Sequence, residues 1–242
     1  MELERVSTGV PGLDEILSGG LIKGRPYLVA GGPGAGKTIL CMHFLLDGLK
    51  KNEKGLYISL EENADHLRQD MAVFGWDLAR LRIMDTMQDL GSEKWVLKTD
   101  KAVSRPEFTV INLVKVIEEK LKTYRPKRLV IDSITSVRML YDKELNVRRE
   151  LLSLMNFLTK VECTTLLTSE SYMHNSEVQM EEFLASGVIK LHKIESKGER
   201  ISAISVEKFR GSGFDRATRP MKITGEGMTV FPGESIFEPA QF

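Results

Sequence analysis

The chain has 242 residues, of which 42% are hydrophobic, so it can bury a large core, and we expect a single domain over residues 1–242. Lysine plus arginine and aspartate plus glutamate both number 34, so the formal net charge is zero. The chain therefore lacks the global positive field that attracts nucleic acid or an anionic membrane, which leaves only a local basic patch for that purpose. No apolar run in the sequence is as long as a membrane span.

The cysteine and histidine residues indicate neither a disulfide nor a metal site. Cys41 and Cys163 are far apart and form no Cys-x-x-Cys motif, so we expect both to be buried and reduced, as in a cytoplasmic protein. The histidines show no spacing that is typical of metal ligands, and we expect them to be packing or surface residues. They are His43, His66, His174 and His192.

Predicted strands and helices alternate through most of the chain. Residues 6–24 are rich in glycine and predict turns around a short helix at 13–17. Apolar and β-branched runs predict strands at residues 26–30, 56–60, 81–85, 128–132 and 163–169. Apolar residues at helical spacing predict four longer helices. The first begins at Thr38, and the second runs from the cap Asn63 to Gly75. The third and fourth cover residues 110–121 and 145–161. The polar, basic residues 86–107 predict a surface excursion.

The pattern changes in the C-terminal part. Residues 188–192 and 201–209 predict two strands that are joined by a turn at 196–199 into an antiparallel hairpin, and residues 228–231 predict a last edge strand. Alternating strands and helices that are followed by hairpins are typical of an α/β fold. We expect a mainly parallel β-sheet sandwiched by helices, with an antiparallel edge hairpin.

One stretch has the spacing of a phosphate-binding loop, which is a glycine, four residues and then Gly-Lys-Thr. Glycines let backbone N–H groups wrap a chain of phosphates, the lysine places a charge on the outer phosphates, and the threonine hydroxyl is a ligand for Mg²⁺. A predicted strand precedes the stretch and a predicted helix follows it, which favours an anion site over an ordinary glycine-rich turn. Its residues are Gly31, Gly32, Pro33, Gly34, Ala35, Gly36, Lys37 and Thr38.

Acidic residues follow two of the predicted strands. Open α/β sheets bind ligands at the carboxyl ends of their strands, so Asp132 and the pair Glu61-Glu62 should lie near the phosphate loop. Asp132 is expected to hold Mg²⁺, the alternative being a helix cap. Glu61 or Glu62 is expected to activate a water molecule, the alternative being an interaction with the dipole of the following helix.

Two cations lie near the end of the predicted hairpin. Side chains alternate along a strand, so Lys208 and Arg210 should project from the same face. Adjacent cations are unfavourable unless they share an anion such as a triphosphate. Taken alone, these residues favour a solvated pair at the sheet edge.

The motifs occur in the order that is seen in the KaiC-like branch of RecA-type ATPases, and the chain resembles a single KaiC-type domain. Besides the phosphate loop and Glu61-Glu62, the resemblance rests on residues 8–14 (Thr-Gly-Val-Pro-Gly-Leu-Asp), 19–20, 128–133 and 208–212. It covers nearly the whole chain. It implies a RecA-like fold, Mg²⁺-dependent binding and hydrolysis of ATP to ADP, and a homo-oligomeric ring, expected to be a hexamer, with a regulatory or signalling role.

The resemblance also implies a site that is shared between neighbours in the ring. One subunit would supply the acids and the nucleotide-binding loop, which comprises Gly32, Pro33, Gly34, Ala35, Gly36, Lys37, Thr38 and Ile39. Thr38 and Asp132 would hold Mg²⁺. The next subunit would supply Lys208, Arg210 and Ser212, with Arg210 and Lys208 stabilising charge on the γ-phosphate. Thr224 and Gly225 would lie near the adenosine end of the nucleotide.

Two departures and two alternative functions accompany the resemblance. The clock protein has two such domains in tandem whereas this chain has one, so clock function does not carry over. Ser186 stands where the family often has an aspartate.

One alternative is a DNA-binding recombination or repair ATPase similar to RadA paralogues. Its candidate contacts are Arg138, Arg148 and Arg149, although residues 174–182 are acidic. The other alternative is a kinase module that phosphorylates itself. The sequence identifies no protein partner.

Overall fold

The structure, a computed structural model, describes residues 3–85, 110–139, 144–171, 180–196 and 199–236. The excursion predicted at 86–107 and residues 174–179 of the acidic stretch at 174–182 lie outside these ranges. Within them, no helix is both long enough and apolar enough to cross a lipid bilayer.

Eleven strands and seven helices are present in the described part of the chain. The strands are β1 (Arg5–Val6), β2 (Leu21–Ile22), β3 (Pro26–Gly31), β4 (Gly55–Ser59), β5 (Arg82–Asp85), β6 (Arg128–Asp132), β7 (Thr164–Glu170), β8 (Gly187–Ser196), β9 (Glu199–Phe209), β10 (Arg219–Thr224) and β11 (Gly227–Val230). The helices are α1 (Leu13–Ile16), α2 (Lys37–Lys50), α3 (Ala64–Ala72), α4 (Val110–Thr123), α5 (Thr135–Met139), α6 (Glu144–Lys160) and α7 (Met180–Leu184).

Among the described residues, nine strands form one sheet in the order β11-β10-β9-β8-β3-β7-β6-β4-β5. The six strands from β8 to β5 in this order are parallel to one another. Strands β9, β10 and β11 extend the sheet in antiparallel fashion. The predicted parallel sheet with an antiparallel edge is therefore confirmed, and β1 and β2 pair separately.

Helices cover both faces of the parallel part because its strands bury side chains on both sides. Along β3, Tyr27 and Val29 face a core that includes α2, whereas Leu28 and Ala30 face a second core that includes α4 and α6. Apolar residues on consecutive positions of a strand therefore require a layer on each face. The predicted sandwich of a sheet between helices follows from this packing.

The predicted longer elements are present with small shifts at their ends. Asn63 caps α3 through its side-chain oxygen, which accepts a hydrogen bond from Asp65 N at 2.8 Å. That helix ends at Ala72 rather than at Gly75, which lies in the turn that follows with a φ of 67°. Cys41 and Cys163 are buried and form no disulfide, as predicted. Burial raises the pKa of the Cys163 thiol to about 12, so it stays protonated at neutral pH.

The sequence did not predict helices α5 and α7 or strand β10. Helices α5 and α7 have five residues each, which is less than two turns and too few to show a helical period. Strand β10 begins Arg219-Pro220, and proline is normally depleted in strands because it lacks an N–H donor. Here only Arg219 and Pro220 are in register with β9, and the rest of β10 pairs with β11.

Candidate functional site

The loop between β3 and α2 adopts a conformation that requires glycine. Gly34 and Gly36 have positive φ angles of 65° and 101°. A Cβ on Gly36 would lie 2.6 Å from Ile223 Cδ1. The loop therefore has no room for a side chain at Gly36. It leads directly into the N-terminus of α2, where backbone N–H groups are free to bind an anion.

Lys37 is largely buried at the first position of α2. Its Nζ donates hydrogen bonds to Gly31 O at 2.8 Å and to Gly32 O at 3.1 Å, and lies 4.0 Å from a carboxylate oxygen of Glu170. The side chain therefore folds back beside the loop that it follows in sequence. An ammonium group in this position faces the same space as the loop amides, so their positive charges act together on a bound anion.

Asp132 at the end of β6 accepts hydrogen bonds from three hydroxyl groups. Thr38 Oγ1 donates to Oδ2 at 3.0 Å, and the hydroxyls of Tyr57 and Thr168 also donate to the carboxylate. Burial, followed by the negative charge of Asp132, raises the pKa of Tyr57 well above its ordinary value, so Tyr57 remains a donor. These contacts fix the carboxylate beside the threonine that the sequence predicts as a Mg²⁺ ligand.

Strand register explains why these groups meet. Ser59 pairs with Asp132 across β4 and β6, and Gly31 pairs with Glu170 across β3 and β7. Parallel strands end at the same edge of the sheet, so the residues that follow them converge there. The sequence prediction that the acids lie near the phosphate loop is confirmed by this geometry.

A cleft of about 210 Å³ lies at this edge of the sheet. Its lining combines the phosphate loop, the acid pair and the predicted metal ligands, together with three residues that the sequence did not single out. The lining residues are Pro33, Gly34, Lys37, Thr38, Ser59, Glu61, Glu62, Asp132, Ser133 and Glu170.

The two acids differ in their surroundings. Glu61 is exposed, and its Oε1 accepts hydrogen bonds from Ser133 Oγ at 2.6 Å and from Ser136 Oγ at 2.5 Å. Glu62 is half-buried, and burial raises the pKa of its carboxyl, assisted by the nearby charges of Asp70 and Asp132. A raised pKa makes a carboxylate a better proton acceptor near neutral pH.

Lys208 and Arg210, referred to below as the cation pair, lie outside this cleft. Lys208 Nζ donates to the carbonyls of Glu182 at 2.7 Å and Phe183 at 2.8 Å, and Arg210 Nη2 donates to Phe183 O at 2.9 Å. Both side chains therefore project to the same side, as predicted. Burial and the charge of Arg210 lower the pKa of Lys208 to about 8. Ser212, beyond the pair, accepts a hydrogen bond from Arg5 Nη2 at 2.6 Å.

Thr224 ends β10 and Gly225 begins the turn between β10 and β11, which lies beside the phosphate loop of the same chain. Ile223 contacts Gly36, and the backbone N–H of Met228 donates to His43 Nε2 of α2 at 2.8 Å. Thr224 Oγ1 accepts a hydrogen bond from Glu226 N at 3.3 Å and so shapes the turn. Within one chain, this turn is thus close to the nucleotide-binding loop while the cation pair is not among the cleft residues.

A family model described as "ATPase: KaiC" matches residues 6–235 of the chain. The chain belongs to the KaiC family of ATPases. This confirms the resemblance that the sequence motifs carry, and it establishes a phosphate-loop ATPase of the KaiC and RecA type.

Individual relatives agree with the KaiC assignment. A UPF0273 protein of Thermotoga maritima is 32% identical over 240 residues, covering 96% of the chain and 98% of that protein. The circadian clock oscillator protein KaiC of Parasynechococcus marenigrum is 31% identical over 236 residues, covering 96% of the chain and 46% of that protein. A crystal structure of a KaiC-like protein from Pyrococcus horikoshii OT3 matches with a TM-score of 0.81 and 33% identity, covering 96% of the chain and all of that structure. The RecA-like α/β fold is confirmed.

Several site residues of this KaiC-family chain were missed by sequence reasoning. Tyr57 and Thr168 both donate to Asp132, and Glu170 lies beside Lys37. Lys193, on β8, donates to Pro33 O in the phosphate loop at 2.9 Å. A polar residue near the carboxyl end of an otherwise buried strand was the available signal for Thr168 and Glu170. Lys193 gave no signal because its partner lies far away in sequence.

The residues at the cleft fit a magnesium nucleotide. Thr38 and Asp132 place a hydroxyl and a carboxylate oxygen 3.0 Å apart, and oxygen donors of these kinds are the ligands that Mg²⁺ prefers. Lys37 and the amides at the start of α2 supply the positive field that phosphates need.

Proposed function

We propose that this KaiC-family ATPase binds ATP with Mg²⁺ and hydrolyses it in a homohexameric ring whose active sites are shared between neighbouring subunits. The chain acts as one domain over residues 1–242. The energy of hydrolysis serves a regulatory or signalling role through a protein partner. ADP is the product of hydrolysis and binds at the same site.

One observation carries the shared site. The acids, the phosphate loop and the metal ligands line a single cleft, but the cation pair of the same chain is not part of its lining. Arg210 is instead exposed to solvent, and its partner Lys208 has a pKa lowered to about 8, which a nearby anion would raise again. Two adjacent cations outside their own cleft suit the triphosphate of a neighbour.

Each part of the site has a distinct task in this mechanism. The amides of the loop, with Lys37, bind the phosphates, and Gly32 to Ile39 frame them. Thr38 and Asp132 hold Mg²⁺, which when bound supplies positive charge against the phosphate oxygens. The acid pair, Glu61 and Glu62, orients the attacking water and accepts its proton. The cation pair stabilises charge that develops on the γ-phosphate. The same subunit supplies Ser212, and Thr224 and Gly225 border the adenosine.

Nothing in the described residues favours the DNA-binding alternative. Arg138, one of its candidate contacts, donates to the buried carboxylate of Glu181 at 3.3 Å, and Arg149 lies 3.9 Å from Glu150. The guanidinium charge of Arg138 is therefore already matched within the chain. The proposed partner is a protein rather than a nucleic acid.

A mixing experiment tests the shared site. Arg210→Ala and the double variant Glu61→Gln/Glu62→Gln should each bind ATP and fail to hydrolyse it. A head-to-tail ring joins two different faces at every site, so about a quarter of the sites in randomly mixed rings would combine intact acids with an intact cation pair. ATP hydrolysis should return to about that fraction of wild type. Absence of recovery, with subunit exchange demonstrated by native mass spectrometry, contradicts the shared site.

A further inference from the structure

Glu181 is a fully buried carboxylate whose charge the proposed mechanism does not use. Its side chain is 0% exposed, and its Oε1 accepts hydrogen bonds from Ser169 Oγ at 3.1 Å and from Arg138 Nη1 at 3.3 Å. Among the described residues, none donates to its Oε2. Burying an acid with an unpaired oxygen lowers stability, and an apolar side chain would fill the space at less cost. Packing alone therefore does not account for Glu181.

The two partners of Glu181 lie on segments that also build the cleft. Arg138 belongs to α5, where Ser136 donates to the acid Glu61 at 2.5 Å. Ser169 directly precedes Glu170, the residue beside Lys37. Glu181 is thus anchored to the edge of the sheet where its own subunit carries the acids and the phosphate loop.

The residues that follow Glu181 hold the cation pair. The carbonyls of Glu182 and Phe183 accept every hydrogen bond described above for Lys208 Nζ and Arg210 Nη2. These carbonyls belong to α7, which has only five residues. A helix this short has little rigidity of its own, so the position of the two carbonyls depends on what anchors α7.

We infer that Glu181 is a positioning residue for the cation pair. Through Arg138 and Ser169 it fixes α7, and α7 aims Lys208 and Arg210 at the site of the neighbouring subunit. The inference rests on the proposed function, because it requires the cation pair to act across the interface. It adds an anchor within each subunit that sets the geometry of the next subunit's reaction.

Two substitutions disturb this anchor in different ways. Glu181→Gln keeps the shape of the side chain but removes the charge opposite Arg138. Arg138→Met removes the cation, whose side chain is 36% exposed, and leaves the Glu181 carboxylate without its ionic partner. Each should leave the KM for ATP unchanged and lower kcat by about 10- to 10²-fold, as small misplacements of reacting groups do. Arg138→Lys should restore part of kcat. Arg149→Met, at an arginine that is 77% exposed, is the matched control and should retain wild-type kcat.

Mixing separates a positioning role from a structural one. If Glu181 acts through the cation pair, Glu181→Gln subunits should regain turnover when mixed with Glu61→Gln/Glu62→Gln subunits, to about a quarter of wild type, and regain none with Arg210→Ala subunits. Arg138→Met should behave identically.

The other outcomes overturn the inference. Recovery with Arg210→Ala subunits would place the defect in the subunit's own cleft. Recovery with neither mixing partner would show that Glu181 contributes only to stability. Wild-type kcat in both Glu181→Gln and Arg138→Met would also refute the positioning role. Arg210→Ala mixed with Glu61→Gln/Glu62→Gln contains no change at Glu181, so its failure would count against the shared site itself.

Discussion

Replacing Lys208 by arginine tests the electrostatics of the cation pair. Burial and the charge of Arg210 lower the pKa of Lys208 from 10.5 to about 8, with Glu182 acting in the opposite direction. At this pKa about 90% of the side chains are protonated at pH 7 and about 10% at pH 9. If the ammonium stabilises the transition state, kcat/KM for ATP should fall about tenfold between these pH values, because kcat/KM reports the free enzyme. Arginine keeps its charge throughout, so Lys208→Arg should lack this fall.

The assay is phosphate release at limiting ATP over a range of about pH 6.5 to 9.5, in buffers of constant ionic strength. Lys160→Arg, at an exposed position at the end of α6, is the matched control and should retain the alkaline fall. An identical fall in Lys208→Arg would show that another group titrates, and the reasoning would be refuted.

The free energy of unfolding supplies a second readout. Between about pH 8 and 10.5 the unfolded state binds more protons at Lys208 than the native state, so its contribution to the free energy of unfolding rises with pH.

Three further substitutions and one binding measurement test the site. Lys37→Ala should abolish ATP binding measured by calorimetry while the circular dichroism spectrum is retained, because it removes the ammonium beside the loop; wild-type affinity would contradict the assignment. Glu61→Gln/Glu62→Gln should bind ATP normally and hydrolyse it about 10²- to 10⁴-fold more slowly, and the single variants show which acid accepts the proton. Undiminished turnover would mean that both acids only interact with the dipole of the following helix. Gly36→Ala should lower the free energy of unfolding in denaturant by about 1–3 kcal/mol and weaken ATP binding, because φ is 101° and the Cβ would meet Ile223 at 2.6 Å. Gly213→Ala is the control and should change neither quantity, because a Cβ there would meet nothing within 4 Å. Single-stranded DNA should bind weakly and with steep salt dependence in filter binding, and a submicromolar Kd at physiological salt would favour the recombinase alternative.

The sequence was most informative where one local pattern determines one element. The apolar runs of β3 and β6, and the helical spacing of α6, predicted elements that the structure contains, because burial on both faces leaves a continuous apolar signal. Asp132 and the acid pair could be placed near the phosphate loop because parallel strands end at one edge. That inference needs only strand direction and no knowledge of distant contacts.

Contacts between distant segments could not be predicted. Glu181 belongs to a stretch whose composition suggests an acidic surface, yet it is buried, because its partners come from the ends of β7 and α5. Tyr57 reads as an ordinary core aromatic, and only the register of β4 against β6 brings its hydroxyl to Asp132. Such pairings depend on strand order, which periodicity does not encode.

The position of β3 in the sheet has a consequence for biosynthesis. Its neighbours are β7 and β8, so Tyr27 pairs with Leu166 on one side and with Gly187 on the other. A ribosome therefore completes the phosphate-loop sequence long before it makes the strands that bond to β3. Until then both edges of an apolar strand lack their final partners, a condition that favours slow folding and association with other chains. Nascent chains released before β8 should carry the loop and still fail to bind nucleotide.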